Sequence, residues 1–411
     1  MWRKSLFLDV VLSLVLISTG YVRAEEPEAE IKVLKAQVQE LMQRIEKLEK
    51  ELAGTKEVKA GQPAEKTAVE SKEEKPKQPV TLSTSGSELT VKGRVFIGYY
   101  DSERSGSTYE NGSFEMPDAK VQLTWKPWER IEAVTRFNLN NAAFNSVDYC
   151  YLQGNQVIPG DEKSRVRLGR TKIDFGEETW ANNPVENRFI SNSAANVSGY
   201  DDGIELYGNF IPDVFGYYVD LANGNTGTGS DNTSSKAVSA KIFGRPVKPV
   251  YLSASYYTTG DLDNNNTEMT IAGGSTAPTG ATDWQRNIWE FNTKLALGPA
   301  EFAGAYGEFD DDATDVADRK GEYYFIQAVY GVTPKIYAGL RYSTIKLDDG
   351  VTNTLNSVSD ADQYDRTSFI LGYKFSKLVT VKTEYSWNDN HRPGKDSIDD
   401  NQFAIGVATQ F

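Results

Sequence analysis

The sequence predicts an all-β transmembrane barrel of about sixteen antiparallel strands, preceded by a short α-helical coiled coil and a flexible linker. Three observations point there. The chain from residue 87 onward repeats a strand of alternating character, and its breaks are alternately short and long. Its aromatic residues, 22 Tyr, 18 Phe and 7 Trp, often fall at strand ends, as expected of an interfacial girdle. The faces opposite the apolar ones are charged, which suits a wet interior. A soluble two-sheet protein also alternates, but it packs its inner faces with apolar side chains.

Residues 1–24 read as a secretory signal peptide. Arg3 and Lys4 precede an apolar stretch from Val10 to Ile17, and Val22-Arg23-Ala24 is a small-x-Ala cleavage pattern. The apolar stretch is too short for a spanning helix, which needs about 20 apolar residues. No later segment is long and apolar enough for one either. The net charge of -14 argues against broad nucleic-acid binding, which relies on Lys and Arg to neutralise phosphates.

Residues 25–54 read as an oligomerisation helix. Ile31, Leu34, Val38, Leu41, Ile45, Leu48 and Leu52 recur at alternating steps of three and four, so the stripe asks for a partner helix. Arg44 and Glu49 suit an interchain pair, and Gly54 stops the helix. So few heptads gain little unless several chains bury them together. β-Branched residues at a with Leu at d lean toward two strands by the packing rule alone. Residues 55–86 carry Lys, Glu, Ala and Pro with almost no large apolar residue, and they are expected to form a flexible periplasmic linker.

Residues 87–411 are the barrel. The first strand alternates Leu89, Val91, Val95, Ile97 and Tyr99 against Lys92, Arg94 and Tyr100, and the second sets Lys120, Gln122 and Thr124 against Ala119, Val121, Leu123 and Trp125. The third sets Glu132 and Arg136 against Ile131, Ala133, Phe137 and Leu139. Later strands centre on Tyr149, Leu168, Leu206, Val219, Val238, Leu252, Phe291, Phe302, Ile326, Leu340, Leu371, Val381 and Ile405. The stretch around Phe302 is apolar or small on both faces, so its alternation does not say which face is inward. Short turns are expected at Lys126-Pro127, Gly298-Pro299, Thr333-Pro334 and Ser376-Lys377. Long outer loops are expected over 173–202, 260–283, 310–320 and 346–365.

Charged residues on inward positions are the candidate site. Lys92, Arg94, Lys120, Arg136, Arg165 and Arg167 come from the first, second, third and fifth strands and are candidates for one basic wall, diluted by Glu132 and Asp148. The apolar content of the long loop after the fifth strand (Phe175, Trp180, Phe189, Ile190) favours burial against the inner wall. Its acidic residues Glu177, Glu178 and Glu186 would then oppose Arg165 and Arg167 across a constriction. Single copies of Cys150 and His391 leave no internal disulfide and no Ser, His and acid grouping. Cys150 reads as a small buried residue and His391 as a loop residue. The acidic run Asp310 to Asp315 invites a calcium reading, but solvated charge is the more economical one. The chain is not expected to be an enzyme, and no cofactor or metal is called for.

The closing segment alternates Phe403, Ile405, Val407 and the terminal Phe411 against Ala404, Gly406, Ala408 and Gln410. In this it resembles bacterial outer-membrane β-barrel proteins, whose last strand carries such residues and is read by the barrel-insertion machinery. The signal, heptad helix, linker and barrel together are similar in architecture to the coiled-coil-bearing porins of Gram-negative bacteria, such as the DcaP-like group, and more distantly to the phosphate-selective porins. The resemblance implies a homotrimer in the outer membrane, surrounded by lipid and lipopolysaccharide. It also implies an inward-folded loop after the fifth strand; a barrel of sixteen strands by itself leads one to expect passive diffusion of small hydrophilic solutes, with the inward cations making anion preference one option. The alternative is a barrel serving as an anchor whose helix and linker tether it to the cell wall or a periplasmic partner.

Overall fold

The structure, a computed structural model, describes residues 80–84, 86–178, 183–224, 234–263, 269–271, 278, 281–348 and 351–411. The expected signal peptide, the coiled-coil residues Ile31 to Leu52 and most of the linker lie outside the described residues.

Sixteen strands close into one ring. In chain order they are β1 (Ser87–Ser102), β2 (Ser113–Trp128), β3 (Ile131–Asn138), β4 (Ser146–Asn155), β5 (Arg165–Lys172), β6 (Tyr200–Ile211), β7 (Phe215–Ala222) and β8 (Ala237–Val247). They continue with β9 (Val250–Thr258), β10 (Asp283–Leu297), β11 (Ala300–Ala313), β12 (Arg319–Gly331), β13 (Ile336–Leu347), β14 (Gln363–Lys374), β15 (Val379–His391) and β16 (Gln402–Gln410). Each pairs antiparallel with its sequence neighbour, and β16 pairs back onto β1 from Arg94↔Gln410 to Ser102↔Gln402. Closure removes the unpaired edge that an open sheet would present.

The ring is apolar outside and polar inside. Leu168, Ile326 and Leu340 are 60%, 50% and 54% exposed, whereas the inward Lys382 and Glu384 are 1% and 2% exposed. On β16, Phe403, Ile405 and Val407 face out while Ala404 and Ala408 are buried inside. Such a distribution is stable only where the outer surface meets hydrocarbon.

Short turns collect on one rim, and at Gly298-Pro299 the glycine takes a φ of 57°, in the region that suits a tight hairpin. The turn expected at Lys126-Pro127 lies instead at Glu129-Arg130, because β2 runs on to Trp128 through a register shift between Trp125 and Trp128. The linker also ends earlier than expected. Val80–Thr84 forms a strand paired with Ser87 to Val91, along the stretch of β1 that β16 does not reach.

Three further expectations change. Asp310, Asp311 and Asp312 belong to β11 and not to a loop. His391 ends β15, where its ring bonds the Asp362 carboxylate at 2.5 Å. Cys150 is exposed on the outer wall beside the Thr135 hydroxyl, because β4 turns its lumen face at Gln153, Tyr151 and Tyr149. Phe302 is outward and Ala305 and Phe309 inward, which settles the register of β11.

Candidate pore lining and constriction

The inner wall of β1 to β6 carries the predicted cations, and carboxylates meet most of them. Arg94 grips Asp118 with Nε and Nη2, each at 2.8 Å, from the neighbouring strand. Asp148 holds both Lys120 at 3.0 Å and Arg136 at 2.9 Å. This convergence depends on a β-bulge. Arg136 pairs with Tyr149 and Phe137 with Val147, so Asp148 is the extra residue and shares the inner face with Tyr149. Glu205 on β6 accepts from Arg167 at 3.0 Å and lies 3.9 Å from Arg165. Lys92 is exposed on the inner face of β1, opposite Gln122. Five of the six predicted cations thus lie beside the carboxylates of Asp118, Asp148 and Glu205, and Glu132, paired with Lys126 at 3.2 Å, adds a further carboxylate to this wall.

Aromatic rings hold the guanidinium groups in place. Arg136 sits 4.1 Å above Tyr149, Arg167 4.8 Å above Tyr151 and Arg165 4.1 Å above Tyr207. Each contact contributes about 0.5–2 kcal/mol and restricts the side chain to the wall. Arg136 also donates to the Tyr200 hydroxyl at 2.9 Å.

The segment from Ile173 to Gly199 folds into the barrel, and its charges fasten it to the wall of β8 to β15. Glu177 accepts from Lys294 at 2.8 Å and from the Tyr251 hydroxyl at 2.6 Å, and it pairs with Lys241 at 2.8 Å. Glu178 pairs with Arg341 at 3.2 Å and accepts from the Ser193 amide at 2.7 Å. Glu384, on β15, accepts from the backbone amides of Ile190 at 2.6 Å and Ser191 at 3.1 Å. Lys382 donates to the carbonyl oxygens of Asn187 and Phe189. At the far end Asn183 donates to Gln410 on the closing strand at 3.0 Å. A loop so anchored crosses the lumen.

Glu177 and Glu178 therefore engage Lys241, Lys294 and Arg341, not the Arg165 and Arg167 that their position after β5 suggests. Glu186 is exposed on the loop, and Trp180 lies outside the described residues. Lys241, Lys294, Arg341, Lys382 and Glu384 were missed as site residues. The available signal was that each is a charge at an inward position of its strand.

Apolar packing completes the constriction. Phe189 is buried against Val329, Tyr337 and Ile370, and Arg341 lies 4.3 Å above its ring. Ile173 and Phe175 join a larger cluster with Tyr257, Ile288, Phe309 and Ile345 from the wall. Met269 and Ile271 from one outer loop and Leu355 and Val358 from another enter the same cluster. The interior on the side of β9 to β14 is thus packed by side chains of the inward and outer loops. The charged inner faces expected on nearly every strand are realised between β1 and β6, at the loop anchors and in the buried cluster of Arg286, Asp311 and Arg319 on β10 to β12.

Solved structures with the same architecture exist at low sequence identity. The outer-membrane channel DcaP of Acinetobacter baumannii is 14% identical, with a TM-score of 0.60 over 80% of this chain and 99% of that one. The anion-selective porin from Comamonas acidovorans is 12% identical, with a TM-score of 0.56 over 79% and 100%. OmpT of Vibrio cholerae is 13% identical, with a TM-score of 0.55 over 80% and 99%. The fold is that of a sixteen-stranded porin. No family model and no curated relative matches the chain.

Proposed function

We propose that the protein is an outer-membrane channel that passes small hydrophilic solutes by diffusion, with the short-turn rim in the periplasm. The observation that carries this reading is a closed barrel, greasy outside, whose polar inner wall is narrowed by one anchored loop. Barrels of this strand number are wide enough for an aqueous path. With the half toward β9 to β14 packed, that path runs along the wall of β1 to β6. There Lys92, Arg94, Lys120, Arg136, Arg165 and Arg167 lower the barrier for anions. The structurally similar porin from Comamonas acidovorans is anion-selective, which supports the same preference.

The terminal strand ending in Phe411 supports recognition by the barrel-insertion machinery. The heptads Ile31 to Leu52 support self-association, which we assign as a homotrimer set by the barrel surfaces. Reconstitution in planar bilayers tests the channel: stepwise currents are expected, with a reversal potential in a salt gradient that favours anions. Folded protein giving no steps ends the channel reading, and cation selectivity ends the refinement. Deleting residues 25–80 should leave conductance intact. Intact conductance with failing envelope integrity would favour the tether.

A further inference from the structure

A cavity of about 390 Å³ lies between the base of the inward loop and the inner wall of β6 to β9, close to the short turns after β6 and β8. Its volume is in the range of small-molecule sites, roughly 300–1,000 Å³. Tyr207, Phe243 and Tyr251 form its aromatic side. Phe243 stacks on Tyr207 with centroids 5.5 Å apart and planes 22° apart, and on Tyr251 at 6.4 Å and 26°. The stacking depends on Gly216, where a Cβ would stand 2.5 Å from the Phe243 ring. A strip of overlapping rings therefore runs across four strands.

The polar side is balanced in charge. Lys163, Lys241 and Arg245 line the cavity together with Asp174, Glu177 and Asp213. Lys241 is held by Asp174 at 2.7 Å and by Glu177, and Lys163 is paired with Asp213. With three cations against three carboxylates, this cavity has no excess charge to offer an ion. It offers fixed donors and fixed acceptors side by side, next to flat rings. Hydroxyl groups on a ring both donate and accept, and the ring's apolar face stacks on aromatic carbon.

We propose that this cavity is a docking subsite for a neutral polyhydroxylated ring, one or two sugar residues in size. The proposal rests on the channel reading for its role, as a station at the short-turn mouth, but not for its binding chemistry. Sucrose is the probe, with triethylene glycol as a flexible control lacking ring hydroxyls. Saturation-transfer NMR and calorimetry on the detergent-folded full chain should give saturable sucrose binding and none for the glycol. Phe243→Leu, which keeps apolar volume, should weaken sucrose about tenfold, the order expected for losing one stacked aromatic face. Arg245→Gln, which lies over Tyr251 at 5.7 Å, should weaken it less. No saturable binding to folded protein, equal binding of the glycol, or affinity unchanged in Phe243→Leu overturns the subsite. In bilayers sucrose should interrupt the current of the parent protein in a saturable way. Sucrose binding that Phe243→Leu weakens, in a protein without conductance, would keep the subsite and remove the channel reading.

Discussion

Asp311 shows how one position in a strand decides the fate of a charge. Alternation along β11 sends Asp310 and Asp312 outward and Asp311 inward, so three consecutive aspartates occupy two different media. Asp311 is fully buried and accepts from Arg286 at 2.6 and 3.0 Å and from Arg319 at 2.8 Å. Arg286 in turn donates to the Met269 carbonyl oxygen at 2.8 Å, which ties an outer loop to the wall. Removing the anion leaves two buried guanidinium groups without their counter-charge. Asp311→Asn is expected to cost about 3–5 kcal/mol, read as a lower urea midpoint of the folded barrel by tryptophan fluorescence. A triple change of Arg286, Asp311 and Arg319 to Met, Leu and Met should cost less, since it removes all three charges from the buried cluster.

At the scale of elements, the inward loop is held by single side chains that each serve several backbone groups. Glu384 caps the amides of Ile190 and Ser191, and Glu384→Ala leaves both donors buried without an acceptor, at about 1–3 kcal/mol each. The variant should keep its barrel and show larger open-channel current noise. Another tie lies outside the spanning strands. Asp315 accepts from the Thr282 hydroxyl at 2.6 Å and from its amide at 3.1 Å, and these bonds hold its carboxyl below the ordinary value. A lowered value in the folded state means the tie is complete above the unfolded carboxylate range and is lost as pH falls through the lowered one. Protease cleavage of the loop before β10 should therefore rise at acid pH and not between pH 6 and 8.

The strands were legible because a period of two survives in any single segment, and all thirteen centres named from the sequence fall within strands. The anchors were not. Glu177 and Lys294 are 117 residues apart, and no local pattern says which cation a loop carboxylate will meet. Inward Tyr257, Ile288, Phe309, Tyr323 and Phe325 were equally hidden. Alternation tells which residues share a face, but an apolar inner face is covered only when distant loops fold onto it. Asp148 entered the lumen through a bulge that the pattern around Tyr149 does not announce.

For the molecule as a whole, the decisive contact joins the first and last strands of the ring. Gly93 and Phe411 exchange backbone hydrogen bonds at 3.1 and 2.9 Å, and the Phe411 ring lies over the glycine, where a Cβ would stand 2.1 Å from it. Gly93→Val should displace the terminal ring and weaken the seam. The expected result is a larger fraction of unfolded, heat-insensitive species on cold SDS gels, with Phe411→Ala partly restoring the variant by vacating the space. Because the ring is completed only by β16 lying against β1, a sheet without β16 keeps two raw margins, along β1 and β15. Fifteen staves and a gap would bare backbone amides and carbonyls that hydrocarbon cannot satisfy, so the wall can settle in lipid only once the seam is shut.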